Sequence, residues 1–211
     1  MILRTALATI LGLSLLAACQ KNDLAEPPVP LGNFELGLNI VVADNVKKVP
    51  ISRPATPEEW EAGIIKAIDN RFGRYSGTKL YNIGIAVDGF ALAPPGVPVV
   101  ASPKSVLVIT ANIWDDASGT KLNAEGEQFT IFESFSGETV IGSGLTRSRE
   151  KQIEILSYNA AKRVEAWILD NPEWVGLPKG NKPSAADAPT VASAQNPPVT
   201  PPLAPEVPPA N

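Results

Sequence analysis

Proline is distributed unevenly along the chain, and this limits how much of the chain can fold. The sequence has 21 prolines in 211 residues, and ten of them lie in residues 177–211, together with four charged residues and no aromatic one. Such a segment buries too little apolar surface to offset its chain entropy, so we predict a disordered tail with polyproline II character over residues 177–211. Residues 19–32 contain three prolines and little periodicity, which predicts a tether. Residues 33–176 remain, a normal length for one domain.

The amino terminus has the pattern of a secretory leader. Arg4 precedes the uncharged residues 5–16, which would cover roughly 18 Å as a helix and are short for the ~30 Å hydrocarbon core of a bilayer. The segment ends in Leu16-Ala17-Ala18-Cys19, which resembles the lipobox of bacterial lipoproteins. The resemblance implies that residues 1–18 are removed as a signal peptide, that the Cys19 sulfur is diacylated and that the new amino terminus is acylated. Cys19 is the only cysteine in the chain.

The lipoprotein resemblance also implies a place in the cell. In lipoprotein sorting, Asp directly after the acylated cysteine favours retention in the inner membrane, and this chain has Gln20 at that position. The resemblance therefore points to the periplasmic face of the outer membrane of a Gram-negative bacterium. Two or more acyl chains hold a protein on a bilayer far more firmly than one chain does. We expect the chain to contact the membrane through the acylated Cys19.

The charged and reactive residues exclude several classes of function. With 18 basic and 22 acidic side chains, the formal net charge is -4, the wrong sign for a nucleic-acid-binding protein. The chain has no histidine and one cysteine, so it lacks the residues of Ser-His-Asp and Cys-His nucleophiles, of Cys/His zinc sites and of an intramolecular disulfide. Any catalysis would depend on carboxylates, Lys, Tyr or Ser.

Hydrophobic periodicity predicts the first strand and the first helix of the domain. Strict alternation predicts a strand with one buried face that carries Phe34, Leu36, Leu38, Ile40 and Val42. Thr56-Pro57-Glu58-Glu59 then has the residues of an N-cap, of a proline at the first helical position and of a capping box. The helix that follows is predicted to end at Gly73. Its apolar stripe consists of Trp60, Ile64, Ile65, Ile68 and Phe72.

Further strands and a second helix follow. Residues 80–92 alternate as a half-buried strand does, and residues 105–114 form a continuous apolar run that is typical of a central strand. Residues 127–135 predict a returning strand, and residues 138–141 predict a short edge strand. Residues 146–169 predict the longest helix. Its core-facing side chains are Ile153, Leu156, Ala160, Val164, Trp167 and Ile168.

The order of these elements predicts the α+β class: a two-layer sandwich with a mostly antiparallel sheet of four to five strands and two helices on one face. Trp60, Trp114 and Trp167 fall on the apolar faces and are predicted to pack in the core. The segment from Val106 to Phe135, with D-D-A-S-G-T-K-L at its turn and G-S-G before the last helix, is similar to small outer-membrane lipoproteins. That resemblance implies a helix-on-sheet domain and, in some members, a role as an assembly accessory of envelope machines. Its motifs are turn residues and carry no catalytic residue.

Arg147, Arg149 and Lys151 are the candidate contact for an anion or an acidic partner. They follow Gly142-Ser143-Gly144 at the predicted start of the second helix, where backbone N–H groups can bind an anion. Three basic residues at this end oppose the helix dipole, and a bound anion would relieve that repulsion. The alternative is a solvated basic turn.

Three other patterns could support chemistry, and each also has a purely structural interpretation. Ser76, Ser118 and Ser148 each precede a Lys by three residues, the spacing of serine-lysine acyl enzymes, but the S-D-N and K-T-G elements of that class are absent from the sequence. Asp115 and Asp116 could supply oxygen ligands to a metal ion, although paired Asp in a β-turn is the commoner occurrence. A glycosidase would need a carboxyl group in an apolar setting, and we expect none of the glutamates to have one.

These features predict a lipid-anchored periplasmic envelope protein that acts as a binding or assembly module, without catalysis, cofactor or metal. The expected partners are the membrane, through acylated Cys19, and other envelope proteins or the cell wall. Nucleic acid is not expected, and the oligomeric state is left open. The Pro-rich tail would either dock on a partner or act as a spacer. The alternative function is a cell-wall-directed hydrolase that uses carboxylates or a Ser-Lys pair.

Overall fold

The computed structural model describes residues 23–94, 105–133 and 147–178. Within these residues the chain forms six strands and two α-helices. The lipobox with Cys19, the edge strand predicted at residues 138–141 and the tail beyond residue 178 lie outside the described residues.

The elements follow the predicted order, with two additional two-residue strands. The strands are β1 (Phe34–Val42), β2 (Lys47–Lys48), β3 (Lys79–Ala91), β4 (Val106–Asp115), β5 (Thr120–Lys121) and β6 (Glu127–Phe132). The helices are α1 (Pro57–Phe72) and α2 (Arg149–Asp170), and short 3₁₀ turns occupy Asp23–Ala25 and Pro172–Val175.

All six strands belong to one mixed sheet. β4 is central, as its continuous apolar run predicts: it pairs antiparallel with β3 on one side and with β5 and β6 on the other. β1 and β2 pair with β3 in parallel. The sheet is therefore antiparallel in three of its five pairings, and the parallel β1–β3 pair arises because α1 returns the chain to the start of the sheet.

Only one face of the sheet is covered by the helices. Along β3 and β4, buried side chains alternate with half-buried ones, and both helices pack on the buried side. The α+β two-layer arrangement predicted from the sequence is thus confirmed. The core between the layers is formed by side chains that include Trp60, Ile64, Ile85, Ile109, Leu156 and Ile168.

α1 begins where the capping box predicts. Thr56 is the N-cap: its side chain accepts a hydrogen bond from the backbone N–H of Glu59, and the Glu59 carboxylate accepts one from the backbone N–H of Thr56. Two of the N–H groups that a helix start leaves unpaired are thereby satisfied. The helix ends at Phe72, with Gly73 as its C-cap.

β1 contains a bulge that changes which of its side chains are buried. Leu36 pairs with Tyr81 and Asn39 with Ile83, so two residues of β1 lie opposite one residue of β3. Gly37 makes this possible, because a Cβ there would lie 2.5 Å from Oδ1 of Asn82.

The predicted single buried face of β1 is therefore wrong beyond the bulge. Phe34 and Leu36 face the core before it, and Asn39 and Val41 face the helices after it. Leu38, Ile40 and Val42 consequently point to the uncovered face.

Trp114 also lies on the uncovered face, which corrects its assignment to the core. It pairs with Asn82, on the side of β4 opposite to buried Ile113. Its ring covers Gly84, where a Cβ would lie 2.8 Å from Cζ3 of the indole. Trp60 and Trp167 are buried, as predicted.

The folded domain extends beyond residues 33–176 at both ends. Leu31, in the segment predicted to be a tether, is 1% exposed, and Asp23 is hydrogen bonded to α2. Leu177, at the start of the predicted tail, packs partly against the core. The two ends are held by the charged Asp23 and the apolar Leu31 and Leu177. The prolines that predicted a tether lie between Asp23 and Leu31, and those that predicted a tail lie after Leu177.

Replacing the N-cap Thr56 by Ala should lower the free energy of unfolding by about 0.5–2 kcal/mol, because it leaves a helix N–H group without its acceptor. Thr56→Ser keeps the hydroxyl and should stay within about 0.5 kcal/mol of the wild type. Urea denaturation followed by circular dichroism measures both variants. Equal stability of the Ala and Ser variants would contradict the capping role.

Candidate functional site

The sheet face that the helices leave uncovered is the first candidate site, and we call it the open face. Its most exposed part is a row of apolar side chains on β1, which we call the β1 strip: Leu38, Ile40 and Val42, with 58%, 54% and 48% of their surface exposed. Among the strands that the structure describes, β1 forms one edge of the sheet, so no described strand pairs with the outer side of β1 next to the strip. Contiguous apolar side chains at such a position are typical of protein interaction surfaces.

Polar side chains occupy the centre of the open face. Asp88 on β3 accepts hydrogen bonds from Oγ1 of Thr110 at 2.7 Å and from Nε2 of Gln128 at 3.1 Å. Asn82 donates to Oδ1 of Asp116 at 2.8 Å and accepts from the backbone N–H of Leu38 at 2.6 Å. These contacts link β1, β3, β4 and β6 through side chains on the open face.

A cluster of charged residues on the helix layer is the second candidate site, and we call it the Asp23 cluster. At its centre, Arg71 at the end of α1 is 1% exposed. Its guanidinium donates to Oε2 of Glu165 on α2 at 2.6 Å and to Oδ1 of Asp23 at 2.7 Å. Lys162 binds Oδ2 of Asp23 at 2.8 Å, and the Tyr158 hydroxyl donates to Oδ1 of Asp23. The cluster thus joins both helices to the segment that precedes β1.

The surroundings of this cluster set its protonation states. Burial alone would raise the pKa of Asp23, but hydrogen bonds from Lys162, Tyr158 and Arg71 outweigh it and hold the pKa well below its ordinary value. Burial raises the pKa of Tyr75, and the adjacent Glu165 carboxylate raises it further, so the phenol stays neutral and donates to Glu165 at 2.8 Å. Asp23 is consequently ionised and Tyr75 neutral at neutral pH.

The three basic residues predicted to bind an anion each have a carboxylate partner within the chain. Arg147 pairs with Glu133 at 2.8 Å, and Lys151 pairs with Glu154 at 2.9 Å. Arg149 forms a two-pronged pair with Glu59 on α1, with both N···O distances at 2.6 Å. An external anion would have to compete with these carboxylates, so anion or partner binding at Arg147, Arg149 and Lys151 stays a prediction.

Two glutamates are buried, and each is paired with an arginine. Glu133 and Glu165 are 4% and 5% exposed. Arg147 pairs with Glu133 and Arg71 with Glu165, so burial does not place either carboxylate in a purely apolar setting.

The residues considered for catalysis or metal binding take part in turns and caps. The Ser148 hydroxyl accepts from the backbone N–H of Lys151 and caps α2, and the Ser118 hydroxyl accepts from the N–H of Thr120. Asp115 binds Lys79 at 2.6 Å. Among the described residues, no group of three or more His, Cys, Asp or Glu side chains is placed to hold a metal ion. The hydrolase alternative therefore gains no support from these residues and stays a prediction.

Lipid attachment at Cys19 concerns a residue outside the described ones, so it too stays a prediction. In the parts of the chain that the structure describes, neither helix combines the length and the apolar character needed to cross a bilayer.

Comparison with known proteins gives remote similarities only. No family model and no curated protein matches the chain. Among solved structures, a candidate lipoprotein from Caulobacter crescentus is 11% identical with a TM-score of 0.35, and the match covers 62% of this chain and 90% of that one. Protein XCC0632 from Xanthomonas campestris, which carries the family designation DUF330, is 13% identical with a TM-score of 0.37, covering 71% and 93% of the two chains.

A third similar structure is the PelC dodecamer from Paraburkholderia phytofirmans. It is 11% identical with a TM-score of 0.33, and the match covers 66% of this chain and 92% of that one. At these levels of identity and TM-score, the similarities carry no argument about what this chain binds.

Arg71 and Glu165 were missed by the sequence reasoning, although a signal was present. Arg71 lies three residues after Ile68 on the apolar stripe of α1, and Glu165 lies three residues before Ile168 on that of α2. A charge of each sign on two stripes that face the same core indicates a buried pair.

Replacing Arg71 by Met should lower the free energy of unfolding by about 3–5 kcal/mol, because it leaves the buried Glu165 carboxylate without its main partner. Lys66→Met, at an exposed position of the same helix, is the matched control and should change stability by less than about 0.5 kcal/mol. Chemical denaturation measures both variants. A similar loss in the two would contradict the central role of Arg71.

Replacing Asp23 by Asn should destabilise the domain in a pH-dependent way. Because the pKa of Asp23 is lower in the folded than in the unfolded chain, its stabilisation is present above the unfolded value of about 3.9 and declines as the pH falls below it. We expect a loss of about 1.5–3 kcal/mol at pH 7 that shrinks as the pH is lowered from 5 to about 2.

Thermal denaturation at several pH values measures this difference. Asp44→Asn, at an exposed aspartate, controls for the removal of one acidic charge. A pH-independent difference between Asp23→Asn and the wild type would contradict the assignment.

Proposed function

We propose that the protein is a lipid-anchored module on the periplasmic face of the outer membrane, and that it binds another envelope protein through the open face. The observation that carries the binding function is the β1 strip. Its three apolar side chains lie side by side and about half exposed on an edge strand. Full burial of a fully exposed side chain of this kind contributes about 1.5–3 kcal/mol, and about half of that remains available at each position because each side chain is already about half buried.

The proposed partner is a protein with a complementary apolar surface. The strip is apolar and stands next to the polar centre of the open face around Asp88 and Asn82. An apolar region beside polar groups that are already hydrogen bonded is the composition of a protein interface. A carbohydrate chain of the cell wall would instead require exposed hydrogen-bonding groups along the strip.

The anchor in this proposal is the acylated Cys19 of the lipobox-like sequence. Residues 177–211 would serve as a spacer or as a second contact with the same partner, because repeated Pro-Pro steps give reach at a low ordering cost.

Metabolic labelling tests the anchor. Cells that express the wild type and are given a fatty-acid probe should yield a labelled protein in the membrane fraction, and Cys19→Ser should yield neither label nor membrane association. An unlabelled wild type would remove the anchor from the proposal.

Crosslinking followed by a pull-down tests the binding surface. Ile40→Lys should remove the crosslinked partner that the wild type captures, because a charge in the centre of the strip would be buried without a counter-charge. Ile51→Lys is the matched control, since Ile51 is 73% exposed but lies in the loop between β2 and α1. Circular dichroism verifies that both variants are folded.

Equal capture by Ile40→Lys and Ile51→Lys would contradict docking on the strip. A repeat of the pull-down without residues 179–211 separates the contribution of the tail, since a tail-borne interaction disappears on truncation while both Lys variants retain it.

A further inference from the structure

We propose that the Asp23 cluster orients the domain on the bilayer, with the helix layer facing the lipid and the open face pointing away from it. This inference rests on the proposed acylation of Cys19. It adds an orientation to the proposed anchor. Only residues 19–22, which we call the anchor segment, separate the lipid from the folded domain. The anchor segment is attached to the domain on the side opposite to the β1 strip.

The maximum length of the anchor segment follows from covalent geometry. Asp23 follows Cys19 by four residues, and four residues span at most about 14 Å when fully extended. Asp23 is the first residue that the structure describes, and it is held by Arg71 at 2.7 Å and by Lys162 at 2.8 Å. The backbone carbonyls of Leu24 and Glu26 accept hydrogen bonds from Arg74, so the residues after Asp23 are held against α1 as well.

The attachment point lies on the outer side of the helix layer. Tyr158 and Lys162, which bind Asp23, follow exposed Glu154 at steps of four along α2. This stripe faces away from the sheet, because buried Leu156, Ala160 and Val164 form the side of α2 that packs in the core. The anchor segment is therefore attached to the surface opposite to the open face.

The domain is thicker than the anchor segment is long, and this fixes the orientation. A helix with its side chains has a radius of about 5 Å, packed layers lie roughly 10 Å apart, and the side chains of the open face project further, so about 20 Å separates the attachment point from the open face. An anchor segment of about 14 Å is shorter than this separation, so it cannot reach around the domain and place the open face on the lipid.

Loss of the Asp23 contacts together with those that Arg74 makes to the carbonyls of Leu24 and Glu26 would lengthen the anchor segment considerably. The next deeply buried residue along the chain is Leu31, which is 1% exposed and follows Cys19 by twelve residues. Twelve extended residues span up to about 43 Å, enough to reach past either layer. The contacts of Asp23, supported by those of Arg74, thus decide between a fixed and a free orientation.

Energy transfer from the domain to the bilayer tests the proposal. The acylated full-length chain is placed in vesicles of phosphatidylethanolamine and phosphatidylglycerol that contain a headgroup-labelled acceptor lipid. A donor dye is attached at Glu154→Cys on the helix layer or at Thr130→Cys on the open face, both exposed positions. Because Cys19 is the only native cysteine and its sulfur is acylated, the introduced thiol is the one that reacts.

We expect at least about twofold more transfer from position 154 than from position 130, because the two positions differ in height by about 20 Å. Insertion of eight Gly/Ser residues after Asn22 lengthens the anchor segment without changing any described residue. It should abolish the difference in energy transfer between the two positions. Asp23→Ala should reduce it.

Vesicle flotation separates the two proposals. Failure of the chain to float with the vesicles would remove the acylation and this inference together. Flotation with equal transfer from both positions, with greater transfer from position 130, or with a difference that the inserted linker leaves unchanged would overturn the orientation while leaving the anchor intact.

Discussion

The buried guanidinium of Arg71 is the interaction on which the arrangement of this domain depends. A charge in the low-dielectric interior is tolerated only with counter-charges and hydrogen bonds in good geometry, and Arg71 obtains them from Glu165 on α2 and from Asp23 before β1. The same contacts therefore hold the two helices together and fix the start of the folded chain. Apolar packing alone tolerates sliding of one helix along another, whereas a two-carboxylate pairing fits one relative position.

The sequence predicted those parts of the fold whose signals are local. The capping box at Thr56 and the apolar stripe from Trp60 to Phe72 specify α1 through contacts within a few residues, and the continuous apolar run predicted that β4 is central. The bulge after Leu36 was not predictable in this way. It depends on how Gly37 and Leu38 fit against Asn82, a residue 44 positions further along the chain than Leu38. One additional residue reverses the faces of the rest of the strand, so a small local change decides which side chains reach the surface.

The candidate sites were harder to predict than the fold, and for the same reason. The β1 strip exists only because of the bulge, and the sequence pattern had placed its side chains in the core. The sequence pattern indicated an anion site at the basic residues Arg147, Arg149 and Lys151. Two of them are paired with carboxylates that are distant in sequence or on another helix, Arg147 with Glu133 and Arg149 with Glu59. The segment before β1 looked like a tether because of its prolines, and the charge at Asp23 that ties it down is recognisable only together with Arg71 and Lys162.

The ion pair between Glu133 and Arg147 has a further consequence for how the two layers are joined. These residues are the last one before and the first one after a 13-residue stretch outside the described residues, and their side chains hold the two ends of that stretch together. Glu133 directly follows β6 and Arg147 lies two residues before α2, so the pair ties the end of β6 to the start of the longer helix. The sheet and the helix layer are thus joined at this point by a charge contact as well as by apolar packing, and removing Arg147 would leave the buried Glu133 carboxylate without its counter-charge.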